Sequence, residues 1–207
     1  MPATIRKGFP VWATLFIEFL LVIAAVMLAL WAGEWVKSNE RKQSAATALE
    51  NIYYEIRGNK QYLEQLHQRH KDYAENFDER FDAMVAIDPL TASSEEVWAA
   101  NLIPFRGWDA AWRLAQAGGV LSEVNYEYAV AITSAYGIQE IYADYGKEYL
   151  SVAFNLDYVD PDKIDQVRDS IKATLASFII FNQTLLNQYD VALTKLEEHP
   201  DLNITKS

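Results

Sequence analysis

The chain reads as all-α: one N-terminal transmembrane helix continuing into an antiparallel helical bundle. Three observations predict this. Residues Val11 to Trp31 read VWATLFIEFLLVIAAVMLALW, an apolar run in which Glu18 is the only ionisable group. From Glu34 to Leu196 the apolar residues recur mostly at steps of three and four, the period of an amphipathic helix. No stretch alternates as a half-buried strand would, and there is no internal repeat or low-complexity tract.

The apolar run comes first, and its ends are marked. Trp12 and Trp31 stand 19 residues apart. On a helix that spacing is about 28 Å, close to the ~30 Å hydrocarbon core of a bilayer. Tryptophan favours the headgroup levels, so Trp12, Trp31 and Trp35 are read as membrane-interface anchors. The run is longer than the apolar core of a cleaved signal peptide and no clean Ala-x-Ala site follows it, so an uncleaved signal-anchor is expected. Arg6 and Lys7 precede the span, and Lys37, Arg41 and Lys42 follow it. A short N-terminal tail and an acidic bulk favour an N-terminus inside and a domain outside.

The remaining elements follow in order. Ala45, Leu49, Ile52, Ile56, Leu63, Leu66, His70, Tyr73, Phe77, Phe81 and Met84 keep one helical phase, with Gly58 weakening a turn. Asp88-Pro89 stops this helix. Residues 88–107 look irregular, with a short helix around Val97 to Asn101 and a break at Pro104. Asp109 to Ala117 is helical in composition and Gly118-Gly119 ends it. Ser122 is the expected cap of a tyrosine-rich helix reaching Tyr149. Asn155 to Asp160 reads as a loop, and Asp160-Pro161 opens the last helix, which Pro200 closes. The domains are then a tail (1–10), the membrane helix (11–35), the bundle (36–200) and a second tail (201–207). The Trp98–Trp112 region is expected as a short helical insert that caps the bundle at the end far from the membrane.

Composition narrows the function. The net charge is −11, and residues 1–35 carry two acids and two bases, so the whole excess lies in the soluble part. Such a domain is ill suited to nucleic acid or to flat contact with anionic lipid. The absence of cysteine excludes disulfides, thiolate metal sites and cysteine nucleophiles.

A carboxylate in hydrocarbon costs ~2.5–3.5 kcal/mol, so Glu18 should face protein or water. At 100° per residue Ala25, Ala29 and Ala32 lie within about 40° of Glu18, and Ala25, Ala29 and Gly33 follow small-xxx-small spacing. These five residues are the expected helix-packing face. Trp98, Phe105, Trp108 and Trp112 form a candidate partner patch or a cluster that seals the bundle. Glu64, His67 and His70 give one Glu-x-x-His, but a di-iron bundle needs two, so no metal or other cofactor is expected. His70 should sit at the edge of the core and His67 in solvent. Tyr126, Tyr128, Tyr136, Tyr142, Tyr145 and Tyr149 are read as core aromatics with wet hydroxyls. Asn182 and Asn203 match the glycosylation pattern, which is short enough to arise by chance. No nucleophile triad, phosphate loop or paired-acid site can be drawn from spacing, so an enzyme is not expected.

Glu18-Phe-Leu-Leu-Val-Ile, followed by Ala29-Leu30 and Trp35, resembles the anchor of a group of uncharacterised bacterial single-span membrane proteins, a domain of unknown function. The stretch Trp108-Asp-Ala-Ala-Trp112-Arg-Leu-Ala-Gln-Ala-Gly118-Gly, ahead of a tyrosine-rich helix, resembles a second segment of that group. The chain departs from the group at Ile17, where glycine is common, and at Trp31 to Gly33, where polar amides are common. The resemblance implies a bacterial membrane and a helical bundle, and it implies no activity. The expected role is an accessory subunit of a membrane complex, or a homo-oligomer packed through the membrane helix. The expected partners are the lipid bilayer and a membrane protein or a second copy, with neither nucleic acid nor a small-molecule ligand. The alternative is an extracytoplasmic sensory or ligand-binding module.

Overall fold

A computed structural model describes residues 11–87, 103–153, 164–200 and 202. Every regular element among them is helical. They are α1 (Val11–Glu75), α2 (Phe77–Ile87), α3 (Ala110–Ala117), a 3₁₀ turn (Val120–Glu123), α4 (Tyr126–Ala153) and α5 (Ile164–Glu197). The chain divides into two compact units, Met1–Ser44 and Ala45–Ser207.

The first unit holds the apolar part of α1. Its described side chains from Leu15 to Lys37 are all solvent-facing. This helix is long and apolar enough to cross a membrane, with a mean hydropathy of 2.6 over its most apolar window and none of that window buried. A stretch this apolar with no protein cover is the pattern of a lipid-facing helix, not of a core helix.

The second unit is the bundle. Side-chain pairs fix its directions. Tyr53, Lys60, His70, Asp78 and Asp82 on α1 and α2 meet Glu197, Asp190, Asn182, Lys172 and Arg168 on α5. One set of numbers rises as the other falls, at one-for-one spacing, so α5 lies antiparallel to α1 and α2. Tyr142 with Asn182 and Tyr128 with His199 place α4 antiparallel to α5 as well. Glu55 with Tyr136 and Asn59 with Gln139 show that α1 and α4 run in the same direction. The chain therefore has to come back between them, and residues 103–117 make that return.

That return corrects the expected capping insert. Residues 103–109 form no helix, and only Ala110–Ala117 does. The segment lies along the flank of the bundle. The His70 ring lies against the Ile103 backbone, Tyr62 against Phe105, Gly58 against Trp108, and Glu55 against Ala111. Tight contacts explain why two glycines are needed. A Cβ on Gly146 would lie 2.4 Å from Pro104, and one on Gly107 would lie 2.8 Å from Gln139. The expected helix at Val97 to Asn101, with Trp98, lies outside the described residues, as do the Asp160-Pro161 cap and Asn203.

Two element boundaries also differ. The helix does not run unbroken to Asp88. Asn76 interrupts it, its Nδ2 donating to the Asp72 carbonyl at 3.0 Å, after which α2 resumes with Phe77 and Phe81 still in the core. Ser122 is not the cap of α4. It bonds back to the Gly119 carbonyl, Val124 is extended, and Asn125 accepts from the Glu127 amide at the true start. Gly58, as expected, leaves α1 intact.

Candidate functional site

The membrane-side candidates are simple to place. Trp12, Trp31 and Trp35 are exposed on α1, and so are Glu18, Ala25, Ala29, Ala32 and Gly33. Helical geometry gathers Glu18 and the alanines on one stripe. Space beside that stripe is open, since a Cβ on Gly33 would meet nothing within 4 Å. Glu18 makes no hydrogen bond or ion pair among the described residues.

Glu55, on the same helix, is the opposite case. Its Oε2 accepts from the Ala111 amide at 2.9 Å, and its Oε1 accepts from the Tyr136 hydroxyl at 2.6 Å and the Trp112 amide at 3.4 Å. These amides open α3. The residue at the usual capping position, Asp109, makes no side-chain cap and instead pairs with Arg113. Glu55 thus caps α3 from another helix, where a carboxylate also suits the positive end of the helix dipole. Its burial and its bond to Glu55 push the Tyr136 hydroxyl far above its ordinary pKa, so it stays a donor.

One turn along α1, Asn59 is fully buried and holds the backbone of Trp108 from both sides. The Trp108 amide donates to Asn59 Oδ1 at 2.8 Å, and Asn59 Nδ2 donates to the Trp108 carbonyl at 2.7 Å. Gln139 Nε2 donates to the same carbonyl at 3.2 Å, and Gln139 Oε1 accepts from Tyr189 at 2.5 Å. All four groups sit in a core and each amide is satisfied, the condition under which a buried polar network stabilises a fold. Its output is at the surface: the Trp108 indole is 64% exposed.

The four aromatic candidates therefore separate. Trp108 faces solvent, while Phe105 and Trp112 belong to the core. Trp112 stacks on Tyr136 with ring centroids 5.1 Å apart, and Phe105 packs on Tyr142 and Tyr189. The tyrosines divide too: Tyr136 and Tyr142 are buried, Tyr128, Tyr145 and Tyr149 half-buried, and Tyr126 exposed.

His70 is deeper than expected, with no exposure at all. The Tyr142 hydroxyl donates to Asn182 Oδ1, which turns the Asn182 amide group toward His70 Nδ1 at 3.0 Å. The ring accepts there and is neutral, with its proton on Nε2. Burial, opposed by the Ile103 backbone and reinforced by Arg69 and His67, lowers its pKa to about 4. His70 Nε2 and His67 Nδ1 are buried without a hydrogen bond, and His67 is half-buried, not solvated. No group of three metal-ligating side chains occurs among the described residues. Asn182 is inaccessible as a glycosylation acceptor.

A cleft of about 630 Å³ lies between α3 and α4, lined by Arg106, Arg113, Thr133, Gly137, Glu140 and Lys147 among others. Two of its cations are already paired, Arg113 with Asp109 and Lys147 with Asp144.

No protein family, curated protein or solved structure matches the chain.

Proposed function

We propose that this is a single-span bacterial inner-membrane protein, with its N-terminus in the cytoplasm and its acidic bundle in the periplasm. It acts as an interaction subunit, not as a catalyst. It is either an accessory component of a membrane complex or a homo-oligomer packed through α1. The observation that carries this reading is Glu18, one acid without a partner among the described residues in an uncovered apolar helix. Leaving it unpaired in lipid is costly, and the small residues beside it let another helix approach closely enough to satisfy it. The resemblance to bacterial single-span proteins supports the compartment.

Two tests apply. The chain has no cysteine, so single labels are clean. Ser207→Cys should react with an impermeant maleimide once the outer barrier is opened, and Ala3→Cys only after lysis; the reverse pattern inverts the topology. For the stripe, Ala29→Phe and Glu18→Leu should each abolish cross-linking within membranes, while Glu18→Gln weakens it modestly. A change at Leu28, about 80° round the helix from Glu18, should matter much less. Mass spectrometry of the cross-linked species separates a foreign subunit from a second copy. An unchanged assembly state in both Ala29→Phe and Glu18→Leu rejects the stripe.

The competing reading, a sensory or ligand-binding module, has the α3–α4 cleft in its favour. A small molecule retained through gentle detergent purification and lost in Arg106→Ala would support it.

A further inference from the structure

We infer that the cleft between α3 and α4 binds a small zwitterion of the amino-acid type, with Arg106 and the Trp112 indole N–H on its carboxylate and Glu140 on its ammonium. This rests on the ligand-binding reading of the cleft and departs from the sequence expectation of no small-molecule ligand. It draws on nothing in the membrane segment, so one chain can both bind such a molecule and assemble through α1.

The first support is a pair of opposite charges that the fold brings to one cleft and leaves apart. Three cations and three acids line it. Arg113 is taken by Asp109 and Lys147 by Asp144. Arg106 and Glu140 remain, both exposed, with no ion pair or hydrogen bond to each other or to any other described residue. They stand at one level of the cleft, because Gly107 packs against Gln139 and Arg106 and Glu140 are the chain neighbours of those two residues. A simple anion would have to sit beside Glu140, and a simple cation beside Arg106. A molecule that carries both charges gives each residue its own counter-charge.

The second support is a buried donor without an acceptor. Trp112 is only 9% exposed and stacks on Tyr136. Its indole N–H makes no hydrogen bond among the described residues, and the core does not close it off. The N–H of a largely buried tryptophan usually has a partner. Trp112 lines the cleft, so a ligand oxygen there supplies one. An indole N–H and a guanidinium are both donors without acceptors, which suits a carboxylate and rejects an ammonium. The wall formed by residues 103–117 therefore offers donors, and Glu140 on α4 offers the acceptor.

The third support is shape. The cleft holds about 630 Å³, within the range of small-molecule sites. Gly137 lines it one turn before Glu140, and an added Cβ would meet nothing within 4 Å. Glycine costs stability inside a helix, and no neighbour among the described residues requires it here. Its bare backbone keeps the cleft open beside Glu140, where the ammonium is placed.

The test follows thermal unfolding of the full chain in detergent, with binding read as a rise in unfolding temperature. The probes are the common α-amino acids, with β-alanine, 4-aminobutyrate and diglycine to vary the spacing of the two charges. Each is compared with the matching carboxylic acid that lacks the amine and the matching amine that lacks the carboxylate. The expected result is a concentration-dependent rise with at least one zwitterion and none with its two singly charged analogues. Arg106→Ala and Glu140→Gln should each weaken that binding roughly tenfold or more, the effect of losing one charge-assisted contact. Trp112→Phe keeps the stacked ring and removes the N–H, for a loss of about fivefold. Gly137→Leu should abolish the rise without lowering the unfolding temperature of the ligand-free chain. A rise with a carboxylic acid or an amine alone, lost in Gly137→Leu, overturns the zwitterion and leaves the ligand-binding reading standing. A rise that Arg106→Ala, Glu140→Gln and Gly137→Leu all leave unchanged puts the ligand elsewhere and overturns the inference. No rise with any probe overturns it too, and whether the ligand-binding reading falls with it is decided by the small molecule retained, or not, through gentle purification.

Discussion

Glu18 and Glu55 lie on the same helix and solve the same problem in different ways. Glu55 is half-buried and takes two backbone amides and a tyrosine hydroxyl, all from its own chain. Glu18 stands among exposed apolar side chains and takes nothing from the described residues. A carboxylate in a dry setting needs donors; Glu55 has them within the chain, and under the proposed membrane reading Glu18 would need them from outside it. The contrast divides the molecule by what completes it. In the bundle most buried polar groups are bonded within the chain, His67 Nδ1 and His70 Nε2 being exceptions; the apolar segment is uncovered, and a bilayer and a partner at Glu18 are what we propose for it.

The sharpest way to break this comparison is to remove the internal partners. Asn59→Leu strands the Trp108 N–H and reduces the network to the bonds that Gln139 keeps with the Trp108 carbonyl and Tyr189. It should cost about 2–3 kcal/mol in chemical denaturation of the detergent-solubilised full chain. Glu55→Ala removes the cap of α3 and the acceptor of Tyr136, for a loss of about 2–4 kcal/mol. Glu18→Leu should leave the same denaturation curve unmoved. Equal losses in Glu18→Leu and Glu55→Ala would erase the distinction.

A somewhat smaller effect is expected from acid. Unfolded, His70 titrates near 6.5; folded, it titrates near 4. Between those values the unfolded chain binds the extra proton, so stability falls as pH drops from about 6.5 toward 4 and is unaffected above that window. Linkage sets the loss at pH 4.5 at up to about 2.5 kcal/mol. Denaturation curves at pH 7 and 4.5 measure it, and His70→Gln should flatten most of the difference. A His70→Gln chain that loses stability as steeply as the parent would place the sensitivity elsewhere.

The smallest effects belong to the surface. Lys172 bridges Asp78 with both partners about half exposed, so Lys172→Ala should cost at most ~0.5 kcal/mol. Trp108→Ala should also cost less than ~1 kcal/mol, despite the size of the side chain, because the fold grips its backbone and not its ring. A large loss in Trp108→Ala would mean that the indole supports the fold, and would remove the main reason to regard it as a contact residue.

Much of this was legible in one dimension. The apolar run declared itself by length, by its tryptophans and by one acid, since a helix long and apolar enough to cross a membrane is specified by composition alone. The apolar periods of α1, α4 and α5 named the buried faces, and Ile52, Ile56, Leu63, Phe178 and Tyr189 are indeed core. Amphipathic spacing is a local property, so it survives without knowledge of neighbours. What failed was whatever depended on a distant partner. Residues 103–109 look like loop and turned out to be the structural return between two parallel helices. Nothing near them in sequence reveals that Asn59 and Glu55 wait on another helix to satisfy their amides. Asn59 and Gln139 carry no signal in the sequence, and His70 reads as an edge residue, because the groups that bury them come from 30 to more than 100 positions away. Asn182 carried a modification pattern that the fold withdraws by bonding its amide to Tyr142 and His70. The helices, their buried faces and the apolar segment follow from side-chain transfer energies along one helix and so could be read locally. Which polar groups are satisfied within the chain depends on the packed fold, because a hydrogen bond between distant residues exists only once both have been brought to the same place.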